Sequence, residues 1–331
     1  MFKWLFTFAI FISLNFPSVY SQDTQIIRLG TLAMEGSDWG LILQKMNTEL
    51  IQKSRGRLKF QFFFGRDDAD LVELVKNQQL DAASLTIVGL GRILQSVYLL
   101  YLPMLFSNDE ELDYLRDKLT PEYEAQFKEK GFTLLGWGDF GSVYLFSKEP
   151  IRTQTDLQKT RFWIWTIDPI GQAFAAASGN TPILLPVEGV LPSLSKGEVQ
   201  TVFCSPLTCI VLQWYNYVNY MTDLPLVSGV GASIISKERF EQIPKSDRTL
   251  LLTTARKYHR QLVEKIRESN EESVEILRGQ GIKIISVPQQ EVLKWRQIAE
   301  QVQNQFADKF FDKKSLDKAR KLLNEFRSSK K

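Results

Sequence analysis

Residues 26–85 read IIRLGTLAMEGSDWGLILQKMNTELIQKSRGRLKFQFFFGRDDADLVELVKNQQLDAASL, and the rhythm within them decides the fold class. Ile26 to Thr31 is a short apolar run of strand length. A loop follows at Met34 to Asp38, where Ser37 or Asp38 can cap a helix that starts at Trp39. Leu43, Met46, Leu50 and Ile51 recur at helical spacing, and Gly56 closes the segment. Leu58 to Phe64 alternates as a second strand, Ala69 to Gln79 is a short helix, and Leu80 to Leu85 is a third strand. Strand-helix-strand-helix-strand is the order of a parallel open sheet with crossover helices, so the predicted class is α/β.

The pattern resumes past residue 130. Gly131 to Leu135 and Val143 to Ser147 are expected strands, and a new α/β unit begins near Pro150. It holds the strand RFWIW (161–165), a small-residue helix at Pro169 to Ser178, and strands at Ile183 to Leu185 and Val199 to Phe203. Helices are expected at Val187 to Lys196 and Pro206 to Tyr217. Ala232 to Ser236 is a strand leading back to the first unit. Pro244 to Gly279 is a long polar helical stretch with room for one break. Ile282 to Val287 is a last strand, before helices at Gln290 to Phe306 and Ser315 to Phe326.

A length of 331 residues suits two lobes. The expected division is lobe I over 22–147 with about 230–255, and lobe II over 148–229 with about 256–331, which includes the C-terminal helices. A chain that crosses more than once between two such lobes leaves a cleft at the sheet ends, where open α/β sheets bind ligands.

The N-terminus has a signal-peptide order: Lys3, then WLFTFAIFISL (4–14), then Pro17 and the small-ended triplet Val19-Tyr20-Ser21. The apolar run is too short to span a hydrocarbon core of about 30 Å. Cleavage near Ser21 and export to the periplasm are expected, with residues 1–21 as the signal peptide. The next apolar stretch, Leu85 to Phe106, is interrupted by Arg92, Gln95 and Ser96, so a soluble mature chain is expected. Removing residues 1–21 takes away one Lys and no acid, so the formal charge falls from +3 to +2. That balance argues against a nucleic-acid partner, which wants a clustered basic face. The basic C-terminal run from Lys313 to Lys331 is interleaved with Leu and Phe and reads as a solvated helix face. Cys204 and Cys209, five positions apart, are expected as buried free thiols.

Several patterns imitate catalytic chemistry. Gly136-Trp-Gly-Asp-Phe-Gly141 matches G-x-G-x-x-G, but the dinucleotide motif needs a helix next, and Ser142 to Ser147 is a strand pattern. A close-approach connection between two strands is expected instead, with Trp137 and Asp139 facing a cleft. His259, the only histidine, sits in RKYHR (256–260) and reads as part of a solvated helix face, not of a nucleophilic triad. Asp67 and Asp68 read as turn carboxylates. No cofactor, metal site or catalytic residue is expected, and the chain is not expected to be an enzyme.

Five stretches together resemble the solute-binding proteins of tripartite ATP-independent periplasmic (TRAP) transporters. They are the opening strand with GSDWG (36–40), LDAAS (80–84), LPMLF (102–106) before acidic helix residues, KEPI (148–151) leading to Asp156-Leu157 and RFWIW, and LSKG (194–197) leading to VFCSP (202–206). The resemblance implies the two-lobed type II periplasmic-binding-protein fold, hinge strands shared between lobes, and closure on a small-molecule ligand. It implies delivery to TRAP membrane permease subunits driven by an ion gradient. GSDWG, GWGD (136–139) and YMTDLP (220–225) are similar to a subgroup in which a periplasmic tetratricopeptide-repeat protein can accompany the permease.

Most such proteins carry an arginine in the first strand of the second lobe, paired with a ligand carboxylate. The matching position is Trp163 here, with Arg161 two residues earlier on the same strand face. Ser205 stands where the family often has asparagine. A buried charge-assisted pair is worth about 2–5 kcal/mol, so its loss weakens a simple carboxylate by roughly two to three orders of magnitude. Trp39, Trp137, Trp163, Trp165 and Trp214 fall near predicted element ends, and an indole offers a broad apolar face with one N–H donor. The expected ligand is therefore hydrophobic or amphipathic. The expected ligand-binding residues are Trp39, Thr86, Gly89, Trp137, Asp139, Trp163, Trp165, Ser205 and Trp214. The alternatives are an ordinary organic-acid receptor, with Arg161 or Arg92 replacing the missing arginine, and a scaffold or sensor protein without transport.

Overall fold

The computed structural model describes residues 24–330; the signal-peptide reading of residues 1–21 lies outside them. Strand β1 (Gln25–Thr31) leads to helix α1 (Asp38–Lys53), which begins where Ser37 Oγ accepts the Gly40 N–H at 3.2 Å. β2 (Leu58–Phe63), α2 (Asp68–Lys76) and β3 (Ala82–Thr86) follow, and β1 pairs in parallel with both β2 and β3. That is the predicted parallel unit. α3 (Ile87–Gly91) and α4 (Asp109–Glu129) complete this part of the chain.

β4 (Phe132–Ser147) runs without interruption through the glycines predicted to form a connection. Next come α5 (Gln154–Gln158), β5 (Trp163–Trp165), α6 (Pro169–Ala177) and β6 (Ile183–Leu185), with β5 and β6 forming a small parallel sheet. α7 (Val190–Ser195), β7 (Thr201–Cys204), α8 (Pro206–Val211) and β8 (Tyr220–Asp223) follow. β9 (Val227–Ser236) returns to the first lobe and is followed by α9 (Lys237–Gln242) and α10 (Lys245–Gly279). β10 (Lys283–Ser286), α11 (Gln289–Phe306) and α12 (Lys313–Ser329) close the chain.

The main sheet has the order β10-β8-β4-β9-β3-β1-β2, with β7 also on β4. β4 is the shared hinge strand. Its Phe132 to Val143 stretch pairs with β9, and Tyr144 to Ser147 with β7. The β4–β9 register shifts between Leu134 and Gly136 and again between Asp139 and Gly141. Such irregularities bend a strand and increase its twist, as a crossing between two lobes requires.

The long polar stretch, which left room for one break, has none. α10 is a single 35-residue helix, roughly 50 Å long at the α-helical rise. It packs behind β4 and also meets α1 and α8. Its buried line includes Leu251, Ala255, His259, Leu262 and Ile266, so His259 is inside and not on a solvated face. The reason is helical phase: Arg256, Lys257 and Arg260 point outward while positions three and four apart face the sheet. Cys204 and Cys209 are buried and unbridged. Burial and the neighbouring Cys209 push the Cys204 thiol far up, so it stays protonated. On α12, Leu316, Ala319 and Leu323 are buried, while Lys318 reaches Glu122 and Arg327 reaches Glu111. Among the described residues, no helix is long and apolar enough to cross a membrane.

Candidate functional site

A cleft of about 550 Å³ lies between the lobes. Its first wall is built at the carboxyl ends of β1 and β2. The loop after β1 supplies Met34 and the first turn of α1 supplies Asp38 and Trp39; the turn after β2 supplies Gly65 and Asp67. The second wall comes from the segment after β6, with Val187, Glu188 and Leu191, and from α8 and the turn after it, with Leu207, Val211 and Trp214. Phe140 of β4 and Ile266 of α10 form the floor. This is the placement expected of ligands on open α/β sheets.

The walls are mostly apolar and aromatic. Trp39 lies 4.5 Å from Phe140 between ring centroids, at 51°. Trp214 meets Trp163 edge-on at 5.1 Å. Trp163 donates its indole N–H to the Leu185 carbonyl at 3.0 Å, so it braces the wall from behind Trp214. Polar groups are few. Asp38 accepts from Ser269 at 2.7 Å. Asp67 caps α2 through Oδ1, which accepts the Ala69 N–H at 2.8 Å, while its Oδ2 and the Trp39 Nε1 are buried without partners. Burial raises the Asp67 pKa, and Glu188 across the cleft and Asp70 add to the rise. Trp165 approaches Asp67 from the second lobe and favours its charged form without closing a hydrogen bond. Among the described residues that line the cleft, none is lysine or arginine.

Of the residues singled out in the sequence, Trp39 and Trp214 line the cleft, with Trp163 behind and Trp165 against Asp67. Ser205 caps α8, and its Oγ lies 3.0 Å from the Oγ1 of Thr208, a lining residue. Thr86 and Gly89 serve the interior of the first lobe. Their backbone N–H groups donate to Asp68 Oδ2 at 3.0 and 3.2 Å. A side chain at Gly89 would stand 2.6 Å from that carboxylate. Burial pushes Asp68 up to about 7 against these donors.

Trp137 and Asp139 face the other side of β4. Trp137 donates to Thr120 at 2.9 Å and borders a charged groove of about 640 Å³ between α4 and α10. Asp139 is ion-paired with Arg267 at 2.7 Å. Arg161 is exposed and donates to the carbonyls of Gly197 and Glu198. Arg92 lies 3.9 Å from Glu73 at the surface. Neither arginine lines the cleft.

Phe140, Ile266, Asp67 and Glu188 were not anticipated as site residues. None of the four carried a binding signal in the sequence, where Asp67 reads only as a turn carboxylate. His259 belongs to a closed chain. Its Nδ1 faces the Ala255 carbonyl at 2.8 Å and must carry the proton, so Nε2 accepts from Ser233 at 2.7 Å, and Ser84 donates to Ser233 at 2.8 Å. All three side chains are buried. Among the described residues, no three His, Cys, Asp or Glu side chains converge to hold a metal ion.

The architecture has many relatives. A solute-binding protein of Verminephrobacter eiseniae is 24% identical over 271 residues, 80% of either chain. A TRAP periplasmic solute-binding protein of Ralstonia eutropha H16, solved with bound (S)-2-acetolactate, superposes with a TM-score of 0.85 at 16% identity, covering 91% of this chain and 99% of that one. An extracytoplasmic solute receptor of Bordetella pertussis that binds pyroglutamic acid gives 0.83 at 18% identity, covering 89% and 99%. The model of the DctP family matches residues 29–309, across both lobes and the hinge. The chain belongs to this family, the bacterial extracellular solute-binding proteins of family 7.

Proposed function

We propose that this chain is a periplasmic receptor, released by cleavage near Ser21, that closes its lobes on a hydrophobic or amphipathic solute. It hands that solute to the membrane subunits of a TRAP-type secondary transporter. One observation carries the choice of solute: the interlobe cleft is walled by Trp39, Phe140, Leu207, Val211 and Trp214, and among its described lining residues none is lysine or arginine. The relatives solved with acids bind carboxylates; here the position expected to hold the pairing arginine is Trp163, and Arg161 and Arg92 are engaged elsewhere. In this reading one jaw is assigned to 22–147 with about 230–255 and the other to 148–229 with about 256–331.

The chain acts as a receptor and not as an enzyme. Its one histidine lies away from the interlobe cleft, beside the charged groove, and its Nδ1 faces the Ala255 carbonyl where a triad would need a carboxylate. A tetratricopeptide-repeat partner beside the permease belongs to the same proposal and rests on the likeness of GSDWG, GWGD and YMTDLP. Native mass spectrometry and organic extraction of the protein purified from its own periplasm test the solute class. A co-purifying apolar molecule is expected. A thermal-shift screen in which small dicarboxylates raise Tm and apolar compounds do not would sink the reading.

A further inference from the structure

We propose that the polar end of the solute is a cation: an amphipathic amine whose ammonium group lies between Asp67 of one lobe and Glu188 of the other. Its apolar body rests on Trp39, Phe140 and Trp214. This deepens the proposed function and rests on the interlobe cleft being the solute site.

Charge is the first ground. Asp38, Asp67 and Glu188 line the cleft, and among the described lining residues none is lysine or arginine; Lys265 stands near Asp38, which leaves Asp67 and Glu188 as the acids that face each other. A carboxylate entering there would add a further negative charge to a desolvated space, a costly arrangement. An ammonium group would remove the imbalance.

Unmet bonding capacity is the second. Asp38 is already engaged by Ser269, but Asp67 Oδ2 is buried and closes no hydrogen bond, with the Trp165 indole the side-chain donor near Asp67. The indole of Trp39, only 6% exposed, likewise has an N–H without an acceptor. Buried polar groups in folded proteins are nearly always paired, so two orphans on residues that line one cleft are groups a bound solute can satisfy as the lobes adjust around it. Asp67 calls for a donor. Trp39 calls for an acceptor, such as a hydroxyl or carbonyl on the same solute.

Closure is the third. Asp67 and Glu188 stand on opposite walls and already repel each other, which helps to raise the Asp67 pKa. Bringing the walls together strengthens that repulsion unless a positive charge sits between them. A cation makes closing favourable where the empty cleft resists it, so the same pair selects the solute and couples its binding to lobe movement. Aromatic faces beside the carboxylates add cation–π attraction.

The test is calorimetric titration with three compounds that share one apolar body: phenethylamine, phenethyl alcohol and phenylacetate, near neutral pH and at low salt. The amine is expected to bind about tenfold or more tighter than the alcohol, with the acid weakest. Asp67→Asn and Glu188→Gln should each shrink the ratio of amine to alcohol affinity toward one. Asparagine still caps α2, and Glu188 is exposed, so both variants are expected to fold. An amine no tighter than the alcohol, or one indifferent to both substitutions, overturns the cation and leaves the apolar cleft standing. Tightest binding by phenylacetate, or no binding by any of the three, overturns the reading beneath it as well.

Discussion

Gly136 and His259 share one space: a side-chain carbon placed on Gly136 would stand 2.6 Å from Cγ of the His259 ring. The glycine lies on β4 and the histidine on α10, so this contact sets how closely the long helix approaches the hinge strand. Gly141, at φ +82°, makes similar room for Asn270, whose amide donates to the Phe140 carbonyl at 3.0 Å. The G-x-G-x-x-G run is thus a packing device for α10 and not a phosphate cradle.

Gly136→Ala is expected to destabilise the fold by about 1–3 kcal/mol, the usual cost of overfilling a packed interior. His259 cannot step aside cheaply, because both ring nitrogens are bonded. Urea unfolding measures this. Unchanged stability would mean that α10 can shift away from β4 at no cost.

His259 also makes stability depend on pH. Burial lowers its pKa from 6.5 to about 4. Between those values the unfolded chain takes up a proton and the folded chain does not, so stability falls as pH falls through that window. The loss amounts to about 3 kcal/mol across it. The buried Asp68, Asp139 and Asp168, all raised by desolvation, contribute with the opposite sign. Comparison with His259→Gln isolates the histidine: the two proteins' unfolding free energies should converge as pH falls from 6.5 to 4. Parallel profiles would show that His259 titrates normally in the fold.

The parallel unit β1-α1-β2-α2-β3 was legible because periodicity and caps are local: Leu43, Met46 and Leu50 mark α1 by their spacing, and Ser37 announces its start. β4 was not, since glycines at 136, 138 and 141 look like loop residues until the demands of α10 are known. His259 was misread because its sequence neighbours are charged, although only those on the outer helical face meet water. In the cleft, Trp39 and Trp214 could be anticipated from their places at element ends. Phe140 and Ile266 could not, because the crossing of β4 and α10 behind the cleft is a tertiary fact. Trp137 and Asp139 alternate with the wrong face of β4 for the cleft; Phe140, between Asp139 and Gly141, has the right one.

Arg267 ties that other face together. It reaches Asp139 of β4 at 2.7 Å and Asp113 of α4 at 2.7 Å, with Asp109 at 3.3 Å. Asp113 and Asp109 are partly solvated, but the Asp139 side chain is only 2% exposed. Arg267→Met should therefore cost about 3–5 kcal/mol, because it leaves a buried carboxylate unpaired. Adding Asp139→Asn should recover part of that loss, and thermal or urea unfolding of the double-mutant cycle measures the coupling. Strict additivity would show that the pair does not act as a unit.

Trp163→Arg tests how far the apolar wall governs selectivity. The indole is 5% exposed, bonded to the Leu185 carbonyl and packed edge-on against Trp214. It belongs to a buried apolar cluster that includes Phe146 and Val202, neither able to partner a guanidinium. An arginine there loses the Leu185 bond and must either remain unpaired or extend past Trp214 toward the cleft. The first route costs several kcal/mol; the second places a cation near Asp67 and Glu188 and cancels part of their field. Both lower Tm for the free protein, but only the second lets phenylacetate recover it. The expected result is a lower Tm together with a larger phenylacetate-induced rise than in the wild type, and a weakened response to phenethylamine. A lower Tm with unchanged selectivity would show that Trp163 supports the wall and has no influence on what the wall contacts.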